Sequence, residues 1–292
     1  MLGSISGDIR FKEPLSVHTS LRLGGPADVF IVPENIDDIR HALCFAAREQ
    51  MPVTVVGSGS HLLVTERGFR GVVLKLNGAL RRVEFHGQEA VAGAGAEVFA
   101  LVRAAAALSL GGLTHLVGTS GTVGGALIVH GANPGQALAA VVSTVYYVRG
   151  DGGLDEREPA LDGSTERPLA ESDRILVGCR LRLARRSPGL ITREISQALR
   201  VRPLLQTLTF AAAAVWKDPP GHRAGSLIAQ AGLTGKRVNA AEICVKHPSV
   251  IVNRGAATAV DVLALMQLIR ERVLDRTGVR LEPAIRTLGE PV

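Results

Sequence analysis

Two glycine-rich loops and one lysine-bearing turn hold the residues of this sequence whose types and spacing suit ligand chemistry. In VVGSGSHLLV (Val55–Val64) an apolar run empties into Gly57, Ser58, Gly59, Ser60 and His61. Consecutive small residues let neighbouring amide N–H groups converge on one point, which is how a backbone holds an anionic oxygen. Leu62 stands where a third glycine would complete GxGxxG, so this is not a dinucleotide fingerprint, and taken alone a plain strand-to-loop turn explains it equally well. GTSGTVGGA (Gly118–Ala126) carries Gly118, Gly121, Gly124 and Gly125 around Thr122 and Val123. It lacks GK[ST] and is not a P-loop, but glycine at that density implies close approach to a ligand or to neighbouring backbone. The turn is FAAAAVWKDPPG (Phe210–Gly221), in which four alanines lead into the only tryptophan, Trp216, then Lys217, Asp218 and two prolines. Lys217 suits an anion, yet nothing reactive stands beside it. LRLGGPAD (Leu21–Asp28) reads as a type II turn and says little by itself.

Other chemistries find no residues. Histidines 18, 61, 115, 130 and 247 fall near these loops, but none is paired at HxH or HxxxH spacing, so no metal site is expected. No GxSxG elbow supports a serine hydrolase. Cys44, Cys179 and Cys244 are odd in number, far apart and without CxxC, which reads as reduced, buried thiols in a cytoplasmic protein. The start of the chain has no signal-peptide pattern, and no apolar run approaches the roughly 18 residues of a membrane span. Aromatic residues make up 3% of the chain, too few for the stacking platforms that bind single-stranded nucleic acid. A net charge of +6 suits anionic small molecules as well as nucleic acid. The densest basic run, RLRLARR (Arg180–Arg186), reads as one strand with Leu181 and Leu183 inward and its arginines in solvent.

The elements that must position these loops alternate. Strands are expected at Val29–Val32, Val53–Val56 and Gly71–Leu76, with a helix capped by Asn35 between the first two. A second section, 81–187, holds short strands, an alanine-rich helix near Glu97–Leu108 and a charged loop from Asp151 to Arg174. The Ser187-Pro188-Gly189 turn marks a boundary. A third section, 188–292, contains a helix from Thr258, with Asp261 completing a capping box and Val262, Leu265, Met266, Ile269 and Val273 on one stripe.

In order, HTSLRLGGPAD (His18–Asp28), PVTVVGSGSHLLVTERGFRGVVLKL (Pro52–Leu76), GTSGTVGGA, VWKDPPGHRAGSLIAQAGLTGKRV (Val215–Val238), KHPSVIVNRGAATAVDVLAL (Lys246–Leu265) and GVRLEPAIRTLG (Gly278–Gly289) resemble one family, UDP-N-acetylenolpyruvoylglucosamine reductase. The resemblance spans nearly the whole chain. It implies an α+β architecture: a vanillyl-alcohol-oxidase-like FAD-binding fold of two α/β subdomains (1–80 and 81–187) and a C-terminal αβ substrate-type domain (188–292). It also implies a cytoplasmic flavoenzyme of peptidoglycan precursor synthesis, in which NADPH reduces FAD and the flavin passes hydride to an enolpyruvyl UDP-sugar. By the same resemblance Gly57, Ser58, Gly59, Ser60 and His61 would hold the FAD pyrophosphate. Gly118, Gly121, Thr122, Val123, Gly124 and Gly125 would line the flavin, and Lys217 and Asp218 would stand at the UDP end.

The pattern breaks where the family keeps its reactive groups. After hydride transfer, an acid must protonate carbon and polar groups must stabilise the developing charge. The family's serine acid falls on Ala214, and its assisting glutamate falls on Ala284, leaving Glu282 as the neighbouring carboxylate. The family's Tyr-Arg-x-Ser segment has no counterpart between Asp151 and Arg174. Its flavin segment becomes HGANPG (His130–Gly135), its phosphate-loop asparagine becomes His61, and Asp218 replaces an amide with a carboxylate that would repel a diphosphate unless paired. Three readings follow. One is a catalytically degenerate FAD-binding member. The second is an active NADPH-dependent reductase using Glu282, Arg167, Arg174 or a water. The third is a flavin-free interaction module with a basic surface.

Overall fold

The structure, a computed structural model, describes residues 2–130, 138–159, 174–201 and 210–289. Along these, the strands run β1 (Asp8–Pro14), β2 (Pro26–Val32), β3 (Val53–Val55), β4 (Leu62–Val64), β5 (Phe69–Leu74), β6 (Val83–His86), β7 (Glu89–Gly93), β8 (Leu110–Gly111) and β9 (Val142–Arg149). They continue with β10 (Leu154–Arg157), β11 (Arg174–Arg182), β12 (Ala184–Arg185), β13 (Ala211–Ala214), β14 (Arg237–Val238), β15 (Ala241–Ile243), β16 (Val250–Asn253) and β17 (Arg286–Leu288). The helices are α1 (Ile36–Arg48), α2 (Val98–Ala107), α3 (Val123–His130), α4 (Pro188–Val201), α5 (Ala224–Gln230) and α6 (Ala259–Thr277).

The chain divides into two compact units. The first comprises Met1–Phe11, Val29–Ser58 and Gly71–Gln206, the second Lys12–Asp28, Gly59–Arg70 and Thr207–Val292. In the first, β3 and β5 pair in parallel, in a sheet ordered β1-β2-β5-β3, and an antiparallel sheet runs β10-β9-β11-β7-β6. Its core is aliphatic, built from Ile31, Ile39, Val72, Leu74, Leu101, Leu127 and Val148 among others. The expected caps are present: the Asn35 side chain accepts from the Asp38 N–H at the start of α1. The expected basic strand is two pieces. Leu181 and Leu183 are buried as anticipated, but the chain changes partners between them, β11 pairing with β7 and β9 and β12 with β8.

In the second unit the sheet runs β13-β16-β15-β14, and β17 pairs in parallel with β4. Helix α6 begins with the capping box anticipated at Thr258 and Asp261 and ends at Gly278, whose φ of 71° suits a glycine C-cap. Its stripe of Val262, Leu265, Met266, Ile269 and Val273 is buried around Trp216 and Leu227.

The thiol expectation needs one correction. Cys179 and Cys244 are buried, and burial pushes the Cys179 thiol up to about 12, but Cys44 is exposed. It lies on the face of α1 opposite Ile39, Leu43 and Ala46, which are the residues that face the core. Among the described residues no helix is long and apolar enough to cross a membrane, and no cluster of three His, Cys, Asp or Glu side chains could hold a metal.

Candidate functional site

In the first unit the two glycine-rich loops meet. A Cβ on Gly57 would lie 2.6 Å from Thr122 Oγ1, and one on Gly121 would lie 3.5 Å from Ser58 Oγ. Only glycine at position 57 lets the end of β3 come this close to the start of α3. The second loop is itself held by backbone bonds: the Val98 N–H donates to Gly121, and the Val123 and Gly124 N–H groups donate to Ala96 and Ala94. Thr122 closes the helix start by accepting from Gly125 through Oγ1.

Val123 and Gly124, expected to line a flavin, are buried within the unit, Gly124 so close to Ala94 that a Cβ would come within 2.9 Å of the alanine methyl. Their amides are spent on the strand end. Gly121, Thr122 and Gly125 remain partly open, and Gly118 precedes them in the same loop.

The second unit contains the rest of the phosphate loop. Gly59 is buried with φ at 70°, and its position for a Cβ lies 2.2 Å from the His18 carbonyl oxygen and 2.7 Å from Thr19 Cα. The HTS segment and the phosphate loop, far apart in sequence, thus touch. His18 is fixed from its other end, with Nε2 2.9 Å from Glu13 Oε1. Neither the Gly57 nor the Gly59 amide N–H has an acceptor among the described residues. Two amides without partners, flanking Ser58 in a loop where any side chain at 57 or 59 would collide with protein, fit an anionic diphosphate.

The turn also meets the Glu282–Ala284 segment in the second unit. The Ala284 N–H donates to the Val215 carbonyl at 2.9 Å, the Lys217 N–H donates to the Glu282 carbonyl at 2.9 Å, and Trp216 bridges to Pro283. Ala214, the last residue of β13, directly precedes the residue to which Ala284 donates, and both alanines are half-buried. Across the same ladder Lys217 Nζ lies 3.2 Å from Glu282 Oε2, both side chains well exposed. The Asp218 carboxylate is paired by backbone: Oδ1 accepts from the Ala224 N–H at 2.8 Å. That bond satisfies one carboxylate oxygen and leaves the negative charge in place.

Residues 206–288 match the family profile of the UDP-N-acetylenolpyruvoylglucosamine reductase C-terminal domain, and residues 27–155 match the FAD binding domain. The chain is 37% identical to UDP-N-acetylenolpyruvoylglucosamine reductase 2 of Symbiobacterium thermophilum over 286 residues, which is 97% of this chain and 93% of that one. It is also 37% identical to the reductase of Geobacter metallireducens, covering 98% and 96%. The chain belongs to the UDP-N-acetylenolpyruvoylglucosamine reductase family.

The crystal structure of the Thermus caldophilus reductase superimposes with a TM-score of 0.80 at 30% identity, over 98% of this chain and 100% of that one. The α+β fold with an N-terminal FAD-binding region and a C-terminal reductase-type domain is that of the family, and its cofactor is FAD, with NADPH as the reductant. Of the residues weighed as replacements for the family's arginine, Arg167 lies outside the described residues, as does most of His130–Gly135. Arg174 is placed, at the start of β11, and is bound to Asp155 of β10, which also holds Arg157. Sequence reasoning did not find Thr122 as the residue that closes α3 and abuts Gly57; the signal was a threonine two places before two glycines, at a helix start.

Proposed function

We propose that this chain binds FAD in the manner of its family, which serves peptidoglycan precursor synthesis, but does not carry out the ordinary reduction of an enolpyruvyl UDP-sugar. The observation that carries this is the ladder joining Val215 to Ala284 and Lys217 to Glu282. It ties the residues that follow Ala214 to the segment that holds Ala284, the two positions where the family's chemistry calls for a hydroxyl acid and a carboxylate, and both hold a methyl group. Glu282 does not fill the gap, because its carboxylate is 63% exposed and is taken by Lys217.

FAD supplies hydride storage when bound. The chain's own residues would hold its diphosphate through the Gly57 and Gly59 amides and keep the Thr122 loop against that strand end. Lys217 offers a cation to an anionic ligand such as a UDP-sugar, while Asp218 adds a negative charge beside it. What is missing is a proton donor for carbon, and loss of such a donor costs about 10²–10⁴ in rate.

Ala214→Ser combined with Ala284→Glu tests the reading. With the flavin reduced by NADPH, the double variant is expected to be reoxidised by UDP-N-acetylglucosamine enolpyruvate about 10²-fold or more faster than the unmodified protein. Efficient turnover by the unmodified protein would defeat the proposal.

A further inference from the structure

The second unit contains two neighbouring hydrogen-bond donors that no described residue satisfies. Trp216 is 2% exposed and packs among the α6 stripe, yet its indole N–H has no acceptor among the described residues. Arg270, on α6 directly after Ile269, is half-buried, and its Nε–H is likewise buried without an acceptor among them. The guanidinium carbon stands 5.8 Å from the centre of the indole ring. Among the described residues Arg270 has no carboxylate partner either, so the ring face is the contact its charge makes.

Neither group can serve the other, because an indole N–H and a guanidinium N–H only donate. Buried donors are ordinarily paired, and a cation withdrawn from water is ordinarily compensated. What completes both is an acceptor that carries negative charge and is small enough to enter the unit beside the indole. A water molecule would accept the bonds but leave the charge as it is. A carboxylate brings two acceptor oxygens and one negative charge, in the planar form that a guanidinium matches.

We propose that Trp216 and Arg270 form a site for a small carboxylate, of the size of formate or acetate. The site does not depend on the FAD reading above. Trp216 is bracketed by two backbone bonds, from the Ala284 N–H to Val215 and from the Lys217 N–H to Glu282. A carboxylate held between the indole and α6 therefore also fastens that helix to the turn that carries Lys217.

Trp216 is the chain's only tryptophan, so its emission reads this site alone. The full chain, its flavin content held fixed, is titrated with sodium formate at constant ionic strength made up with sodium chloride. A saturable change in Trp216 emission is expected. Arg270→Gln, which loses the charge, should weaken formate at least about tenfold, and Arg270→Lys, which keeps the charge without the fork, should fall between the two. Trp216→Phe removes the reporter and one donor, so there the readout is thermal unfolding. The rise in midpoint that formate gives the unmodified protein should shrink in that variant. No saturable change in the unmodified protein, or one with the same midpoint in Arg270→Gln, would overturn the inference and leave the two donors to water. A formate-induced rise in unfolding midpoint that Trp216→Phe keeps in full would overturn it as well.

Discussion

Gly59 shows how little room the phosphate loop leaves. Its φ of 70° and the His18 carbonyl 2.2 Å from where a Cβ would sit forbid a side chain on two separate grounds. Gly59→Ala is expected to destabilise the fold by at least about 2 kcal/mol, seen as a lower urea midpoint, and to weaken FAD binding in the same protein. Unchanged stability would mean that the loop is looser than its geometry implies. The need for small residues at 57 and 59 was legible in GSGS, since only a chain without side chains can turn its amides to one point. What these glycines touch was not: Thr122 and His18 come from loops whose sequences say nothing about each other. The packing of Val123 and Gly124 on the strand end was hidden for a related reason. A glycine that admits a ligand and a glycine that admits a neighbouring strand read the same until the Ala94 carbonyl and methyl are in view.

At the scale of elements, Asp38 is the residue on which the start of the first unit converges. Burial raises its carboxyl pKa, but hydrogen bonds from the Glu34 N–H, the Ser6 N–H and hydroxyl and the Gly7 N–H outweigh that and hold it below the ordinary carboxylate range. A depressed folded-state value contributes stability that is present above the unfolded carboxylate's pKa and is lost as pH falls through the folded one. Asp38→Asn places a donor against donors, so it should cost about 2 kcal/mol at neutral pH and flatten the acid limb of the stability profile. Equilibrium urea unfolding at several pH values measures both, and an unchanged acid limb would show that Asp38 is not the group being titrated. Helix starts were readable because caps are local: Asn35 and Thr258 each act on a backbone N–H three residues on. The pairing of Leu62–Val64 with Arg286–Leu288 was not, because a short parallel ladder between segments more than two hundred residues apart leaves no periodic trace in either.

The whole molecule groups Lys12–Asp28 and Gly59–Arg70 with the C-terminal residues, so neither compact unit is one continuous stretch of chain. Composition and motif order disclosed the family and the α+β architecture, since those depend on which segments exist. They could not disclose which segments share a core. The bonds from the Ala284 N–H to Val215 and from the Lys217 N–H to Glu282 depend on that sharing. We propose a flavoprotein that can be reduced but does not pass hydride on to the enolpyruvyl sugar at a useful rate. An anaerobic spectral titration of the full chain with FAD, adding NADPH and then UDP-N-acetylglucosamine enolpyruvate, tests it directly. Bleaching by NADPH that the substrate fails to reverse is the predicted result. Prompt return of the oxidised flavin spectrum on adding substrate would contradict it.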